Sequence, residues 1–149
     1  TAVINVALIK DHSLCGYTGT MKNMTDGVTL NPHDFHANLM DPQIPLVYAQ
    51  DAIRSRVRLQ ITDGFKLIYN AGPLDRDPRA RVPHEAVYVS TDPVAMDRIG
   101  WQIVDKWRVD RGLPTLEKAK REPTYIQRAA DMGLGIADLN RIRMKEIDL

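Results

Sequence analysis

The sequence predicts an α/β fold: a layered sheet, mostly parallel, with flanking helices, formed as a single domain over residues 1–149. Three apolar segments typical of β-strands, at 2–9, 57–61 and 86–89, alternate with segments of helical periodicity. The first, AVINVALI, is apolar except for Asn5, which is the pattern of a strand covered on both faces of a parallel sheet. Alternating strands and helices are the arrangement of layered α/β domains.

The composition excludes several classes of protein and of site. A net charge of +1 provides no overall field for nucleic acid or an anionic membrane, and no apolar run approaches the ~20 residues of a membrane-spanning helix. The single cysteine, Cys15, excludes an internal disulfide and a four-cysteine zinc or iron–sulfur site within the chain. Because the chain begins in a predicted strand without an initiator Met, we expect it to be the C-terminal half of a longer protein.

The segment NVALIKDHSLCGYTGTMKN, residues 5–23, contains the candidate site. Lys10, Asp11 and His12 come at the predicted end of the first strand, and ligands of open α/β sheets bind beyond the carboxyl ends of strands. His12 is a candidate general acid or base, because an imidazole titrates near neutral pH. Lys10 is the second candidate catalytic residue.

A glycine-containing loop follows the first strand. Gly16 and Gly19 allow a tight turn, and successive backbone amides in such a loop can bind an anion. Lys22 would add a positive charge and Thr18 a hydroxyl; with Gly19 and Asn23 they are candidate residues for binding an anion or a cofactor. The spacing G-x-x-G-x-x-K-N differs from the G-x-x-x-x-G-K-[ST] of a P-loop, so a glycine turn beside a solvated lysine is the alternative.

Two further residues are candidate metal ligands. In NPHDFH, residues 31–36, the H-x-x-H spacing would place His33 and His36 on one face of a helix, within reach of one metal ion. Asp63 ends the second predicted strand, and imidazole with carboxylate suits several divalent metals. His36 and Asp63 are therefore the candidate ligands. The alternatives are surface histidines near a helix start and an ordinary Asp-Gly turn.

The strongest helical pattern begins at Ser90-Thr91-Asp92-Pro93, where a cap residue precedes a proline at the first helical position. Asp92 is the expected N-cap, and Asp97, one turn into the same helix, is a candidate to face the site. The remaining predicted elements are a helix over 42–54, a short charged helix over 116–121, a helix from Pro123 to a stop at Gly133, and an edge strand at 142–144.

A mostly parallel sheet would bring several strand ends together. Lys10 with His12, Asp63, and Ser90 with Asp92 would all lie at one rim. This convergence is a stronger argument for a site than any single motif.

The segment INVALIKDHSLCGYTGTMKN resembles the signature of the family named domain of unknown function 362 (DUF362), I-N-x-P-x-x-K-x-H followed by T-G-x-x-K-N. The later STDPVAMD and the GLG that begins at Gly133 are also similar to that family, although Ala7 stands where the family usually has proline. The resemblance implies an α/β fold and a protein of about twice this length. It implies no established activity.

A second and more distant resemblance is confined to one loop. The pattern H-x-x-x-G-x-[ST]-G-x-x-K, from His12 to Lys22, is similar to the nickel-pincer lactate racemase family. In that family the histidine is a catalytic acid or base, the lysine attaches a pyridinium-derived cofactor, and a later histidine binds nickel. The resemblance implies these roles for His12, Lys22 and His36, respectively.

These features support three alternative functions. The first is an enzyme that depends on a metal or an anion, of an oxidoreductase or racemase type, with its site at the strand ends. The second is a non-catalytic module that binds a small anionic ligand in the same loop. The third is a scaffold that a missing N-terminal segment or another chain completes. The cofactor is left open, with a divalent metal as one candidate.

Overall fold

The computed structural model describes residues 1–148 and contains four strands and five α-helices. The strands are β1 Val3–His12, β2 Gly16–Thr18, β3 Val57–Ile68 and β4 Arg81–Ser90. The helices are α1 Thr20–Asp26, α2 Gln43–Tyr48, α3 Asp51–Arg54, α4 Pro93–Asp110 and α5 Tyr125–Asp131. Two segments of 3-10 helix lie at Pro32–Met40 and Pro78–Ala80. No helix in this part of the chain is long and apolar enough to cross a membrane.

The strands form one sheet in the order β2-β1-β3-β4, in which only the β1–β3 pair is parallel. The predicted α/β fold with flanking helices is confirmed, but the prediction of a mostly parallel sheet is wrong. Parallel pairing requires a crossover, and the connection from β1 to β3 supplies one through α1, α2 and α3. A short turn joins β1 to β2, and the described residues between β3 and β4 contain no α-helix, so both pairs run antiparallel.

The antiparallel β4 separates strand ends that a parallel sheet would bring together. Ser90 pairs with Gln60 near the start of β3, whereas Lys10 pairs with the last residue of β3. Ser90 and the following Asp92 therefore lie at the opposite rim of the sheet from Lys10 and His12. The predicted convergence of these residues at one rim is wrong.

Asp63 lies within β3, so the prediction that it ends this strand is wrong. It pairs with Leu8 on one side and with Val87 on the other, and β3 continues past Gly64. A register shift between Gly64 and Lys66 accommodates the Asp-Gly pair inside the strand. The pair is therefore an irregularity of the ladder, not a turn that terminates it.

The helix predicted from Ser90-Thr91-Asp92-Pro93 is confirmed as α4, which is 18 residues long. Asp92 is its N-cap, because a carboxylate oxygen of Asp92 accepts a hydrogen bond from the Ala95 amide at 2.8 Å. The helix predicted from Pro123 is present as α5 and ends before Gly133, whose φ is +71°.

Three other predicted elements differ from the structure. The helix predicted over 42–54 is interrupted, since α2 ends at Tyr48 and α3 begins at Asp51. The charged segment 116–121 contains turns and no helix, and residues 142–144 lie outside the sheet. An alternation of apolar and polar residues describes the two faces of a strand, but it supplies no hydrogen-bonding partner for the backbone.

The hydrophobic core lies between one face of the sheet and the helices. Its fully buried side chains include Tyr17, Met21, Val104, Tyr125 and Ile126. The other face of the sheet is exposed, and on β1 it presents apolar side chains at residues 4, 6 and 8. The prediction that β1 is covered on both faces is therefore wrong for residues 1–148.

Candidate functional site

Four polar side chains collect where β1 ends, and we call Lys10, His12, Thr18 and Lys22 the basic cluster. In the antiparallel β1–β2 pair, Lys10 lies opposite Thr18 and His12 lies opposite Gly16. Lys10 and His12 are two residues apart on one strand, so they lie on the same side of it. Helix α1 begins just after β2 and brings in Lys22, which is buried.

His12 is a neutral hydrogen-bond donor in this environment. Its Nδ1 accepts hydrogen bonds from the backbone amides of Leu14 at 3.1 Å and Cys15 at 3.3 Å. Backbone amides can only donate, so Nδ1 carries the lone pair and Nε2 carries the proton. Burial and, next, the positive charge of Lys22 lower the pKa of His12 to about 3. The ring therefore stays neutral at physiological pH.

Two buried polar atoms of the basic cluster lack hydrogen-bond partners. His12 is only 2% exposed, and its Nε2 has no partner among the described residues. The Thr18 Oγ1 is also buried and has no hydrogen-bond partner among the described residues. A buried polar group that lacks a partner costs ~1–3 kcal/mol, so such groups call for an explanation, of which a bound ligand is one.

Lys10 and Lys22 leave the cluster with more positive than negative charge. Lys22 pairs with Asp26 one helical turn later, whereas Lys10 forms no ion pair within residues 1–148. Burial lowers the pKa of Lys10, the positive charge of Lys22 lowers it further, and Asp26 opposes both effects. One carboxylate thus faces two ammonium groups.

His36 lies against this cluster, and Asp63 belongs to the middle of the sheet. The His36 ring stacks on His12 with 5.4 Å between the ring centroids, and His33 stands 5.5 Å from His36. Asp63 Oδ1 accepts a hydrogen bond from the Phe65 amide at 2.8 Å. Residues 1–148 contain no group of three or more His, Cys, Asp or Glu side chains that could hold a metal ion. The metal role of His36 and Asp63 stays a prediction.

The amides at the start of α1 bind an anion of the protein itself. The Asp97 carboxylate, fully buried on α4, accepts hydrogen bonds from the Thr20 amide at 2.6 Å and the Met21 amide at 3.1 Å. It also accepts from the Thr20 hydroxyl at 2.7 Å and the Tyr125 hydroxyl at 3.3 Å. Asp97 thus faces the first turn of α1, and these amides are not free for a ligand.

Both glycines of the loop are required by contacts within the chain. A Cβ at Gly19 would lie 2.4 Å from the Asp97 Oδ1 and 2.4 Å from the Tyr17 ring. At Gly16, φ is +76° and a Cβ would lie 1.9 Å from the Arg121 carbonyl oxygen. The absence of side chains here lets the loop pack against α4 and the segment before α5.

A buried ion network fixes the strand end beside the cluster. Asp11 Oδ1 lies 2.9 Å from Arg121 Nη1 and 3.6 Å from Arg108 Nη1. Arg121 Nη1 also donates a hydrogen bond to the His12 carbonyl at 2.7 Å. Burial raises the pKa of Asp11, and Arg121 opposes that rise. Sequence reasoning missed both arginines, because neither stands in a local pattern that points to β1.

Other residues of the motifs that resemble the DUF362 signature also make structural contacts. Asn23 donates hydrogen bonds to the Asn5 Oδ1 at 2.7 Å and the Val6 carbonyl at 3.0 Å, which ties α1 to β1. Asp92 accepts from the Ile136 amide at 3.0 Å, and a Cβ at Gly135 would lie 2.0 Å from its carboxylate. The segments STDPVAMD and GLG therefore meet in space.

Replacing Asp97 should destabilise the fold in a pH-dependent way. Asp97→Asn removes an acceptor from the α1 amides and should lower the free energy of unfolding by ~1–3 kcal/mol, measured by urea denaturation. Burial raises the pKa of Asp97 from 3.8 to about 6, so the folded state holds this proton more tightly than the unfolded chain. The difference in unfolding free energy between wild type and Asp97→Asn should therefore grow as pH falls through about 6. Asp110→Asn, on the exposed surface of α4, is the control. An advantage that shrinks on acidification would contradict this.

Replacing Gly16 should separate steric overlap from backbone strain. Gly16→Ala places a methyl group against the Arg121 carbonyl in a backbone with φ +76°, whereas Gly112→Ala meets a similar φ of +73° with nothing within 4 Å. Gly112→Ala should cost ~1–2 kcal/mol of unfolding free energy from strain alone, and Gly16→Ala should cost more. If thermal denaturation showed equal losses of stability in Gly16→Ala and Gly112→Ala, the steric overlap at Gly16 would carry no cost of its own.

Comparison with known proteins gives one match, and it covers the site. No curated protein and no solved structure matches the chain. One family model, described as Domain of unknown function (DUF362), matches residues 1–102, which include the sheet, the basic cluster and Asp97. The match confirms the resemblance found in the sequence. The chain belongs to the DUF362 family.

Proposed function

We propose that the basic cluster binds a small oxyanion, a carboxylate or a phosphate, at the end of β1. One observation carries the proposal: the His12 Nε2–H is buried and lacks a partner, beside Lys10 and Lys22. Every available group in the cluster is a hydrogen-bond donor, a cation or, for Thr18, a hydroxyl that can donate. Such donors form their strongest hydrogen bonds with an ionised acceptor.

The residues divide between ligand contact and support. Lys10 and Lys22 supply positive charge, and His12 Nε2 and Thr18 Oγ1 supply directed donors. Gly19 and Asn23, which the sequence also suggested for ligand binding, support the loop through the contacts described above. His12 acts in this proposal as a neutral donor, since a base at Nε2 would need the proton to move to an Nδ1 that faces two amides.

Phosphate binding should depend on Lys22 and on the Nε2 side of His12. Lys22→Met keeps the buried stem but removes the charge, and it should weaken phosphate binding about 10-fold or more in calorimetry. Lys106→Met is the matched control, because Lys106 also pairs with an aspartate one turn later but is exposed.

His12→Asn and His12→Gln form the second matched pair of this experiment. The Asn oxygen can replace Nδ1 as acceptor and leaves no donor at the Nε2 position, so binding should fall with the fold kept. The Gln side chain reaches further and restores a donor there, so binding should be partly rescued. Phosphate affinity that is unchanged in both Lys22→Met and His12→Asn would overturn the proposal.

A second candidate function is proton transfer within the same site. Lys10 forms no ion pair among residues 1–148, and its pKa is lowered by burial and by Lys22, which are the conditions that make a lysine a general base. The neutral His12 Nε2–H would stabilise an oxyanion that develops as the proton leaves, as preorganised donors do in acyl and enolate chemistry. This second function keeps Lys10 and His12 as the two catalytic residues. Lys10 takes the role of the base, and His12 stabilises the oxyanion as a neutral hydrogen-bond donor.

Lys10→Arg separates catalysis from binding. Arginine keeps the positive charge but cannot act as a base, so anion affinity should survive while proton exchange stops. The readout is deuterium incorporation from D₂O into pyruvate, a small carboxylate with an acidic C–H, followed by proton NMR. Exchange that is absent in wild type, or equal in wild type and Lys10→Arg, would remove this second function.

A further inference from the structure

Asp26 is the one carboxylate within residues 1–148 that forms an ion pair with the basic cluster. It stands one helical turn after Lys22 on α1, and its Oδ2 pairs with the Lys22 Nζ. Burial and, next, the charge of Lys22 lower the pKa of Lys10, and the charge of Asp26 raises it. Asp26 therefore acts on both ammonium groups of the site, and an anion that binds there meets its negative charge.

The charges of the basic cluster and of Asp26 leave one net positive charge. Lys10 and Lys22 contribute two ammonium groups, and Asp26 contributes one carboxylate. Thr18 is uncharged. His12 cannot add a charge to match a ligand, because its Nδ1 accepts hydrogen bonds from two backbone amides and burial lowers its pKa to about 3. A bound anion with a single negative charge would make the site neutral.

The burial of the cluster makes this charge balance important. His12, Thr18 and Lys22 are 2%, 8% and 6% exposed, respectively. Solvent screens charges poorly at such positions, so an uncompensated charge there is costly. A dianion would leave an excess negative charge beside the Asp26 carboxylate, whereas a monoanion would leave none.

The arginines beside Asp11 form a separate ion network. Asp11 precedes His12 in β1, so its side chain points to the opposite side of the strand. Arg121 donates to the Asp11 carboxylate and to the His12 carbonyl, and Arg108 lies 3.6 Å from the same carboxylate. Both guanidinium groups are engaged on that side, and their effect on an anion in the cluster is the same with and without the charge of Asp26.

We propose that Asp26 restricts the basic cluster to singly charged oxyanions, so that its ligand is a monocarboxylate and not a phosphate ester. A carboxylate carries one negative charge at neutral pH, whereas a phosphate ester carries about −1.5 to −2. Asp26 is a specificity-determining residue, because its carboxylate repels the second charge of a dianion. Inorganic phosphate remains a usable probe of the site, because part of it is singly charged at neutral pH. This inference rests on the proposed function, since it concerns the anion bound at the same site.

Methanesulfonate and sulfate test the effect of charge with little change in shape. Both are tetrahedral and fully ionised near neutral pH, but they carry one and two negative charges, respectively. Calorimetry measures the dissociation constant of each, and of acetate as a monocarboxylate, at one constant ionic strength. The quantity compared is the dissociation constant of sulfate divided by that of methanesulfonate.

Four variants separate the charge of Asp26 from its other roles. Asp26→Asn removes the charge, and Asp26→Ala removes it with a smaller side chain. Asp26→Glu keeps the charge. Asp110→Asn is the matched control, because Asp110 also pairs with a lysine one turn earlier in a helix, but at the exposed surface. Circular dichroism establishes that each variant used is folded.

Wild type should bind acetate, and it should bind methanesulfonate at least about 10-fold more tightly than sulfate. The ratio of dissociation constants should fall about 10-fold or more in Asp26→Asn and Asp26→Ala, and it should stay at the wild-type value in Asp26→Glu and Asp110→Asn. A purely structural role of Asp26 would weaken both anions together and leave the ratio unchanged.

Two results would overturn the inference and leave the proposed function standing. The first is sulfate binding to wild type as tightly as methanesulfonate, and the second is a ratio that does not change in either charge-free variant of Asp26. If wild type bound none of acetate, methanesulfonate, sulfate and phosphate, the proposed function and this inference would both be wrong.

Discussion

The buried carboxylate of Asp97 is the interaction on which the rest of the site depends. It joins α4 to the first turn of α1 through two backbone amides and the Thr20 hydroxyl, and Tyr125 of α5 adds a fourth donor. The carboxylate fits only because residue 19 is glycine. Helix α1 is seven residues long and has no side-chain cap of its own, so Asp97 performs that task from another helix. The position of Lys22 follows from this contact.

The internal anion changes what the glycine loop can do. Amides that would form an anion nest are already satisfied, so an external anion meets side chains and not the loop backbone. The groups left for it are the Nε2–H of His12, the Thr18 hydroxyl and the two lysines. A second buried carboxylate, Asp11, holds the strand end through Arg121, which also binds the His12 carbonyl. Structural carboxylates on one side thus leave a donor-rich surface on the other.

The two faces of the sheet have different surroundings. Helices cover the face that carries Asn5 and Gln60, and the apolar face remains open. Because residues alternate along β1, the exposed row of Ile4, Val6 and Leu8 continues to Lys10 and His12, so the apolar surface and the basic cluster share one side of one strand.

Local signals in the sequence were sufficient to locate β1, β3, β4 and the start of α4, and to show that Lys10, His12 and Lys22 come close together in the chain, because caps, periodicity and spacing act over a few residues. The family resemblance also lay in short motifs. Only the tertiary structure decided the rest. Asp97 reaches Thr20 across 77 positions and Arg121 reaches Asp11 across 110, and no local pattern encodes such pairs. The neutral state of His12 depends on burial, and the direction of β4 depends on a connection without a crossover helix. Burial and strand direction are properties of packed chains, so a single sequence does not determine them by pattern alone.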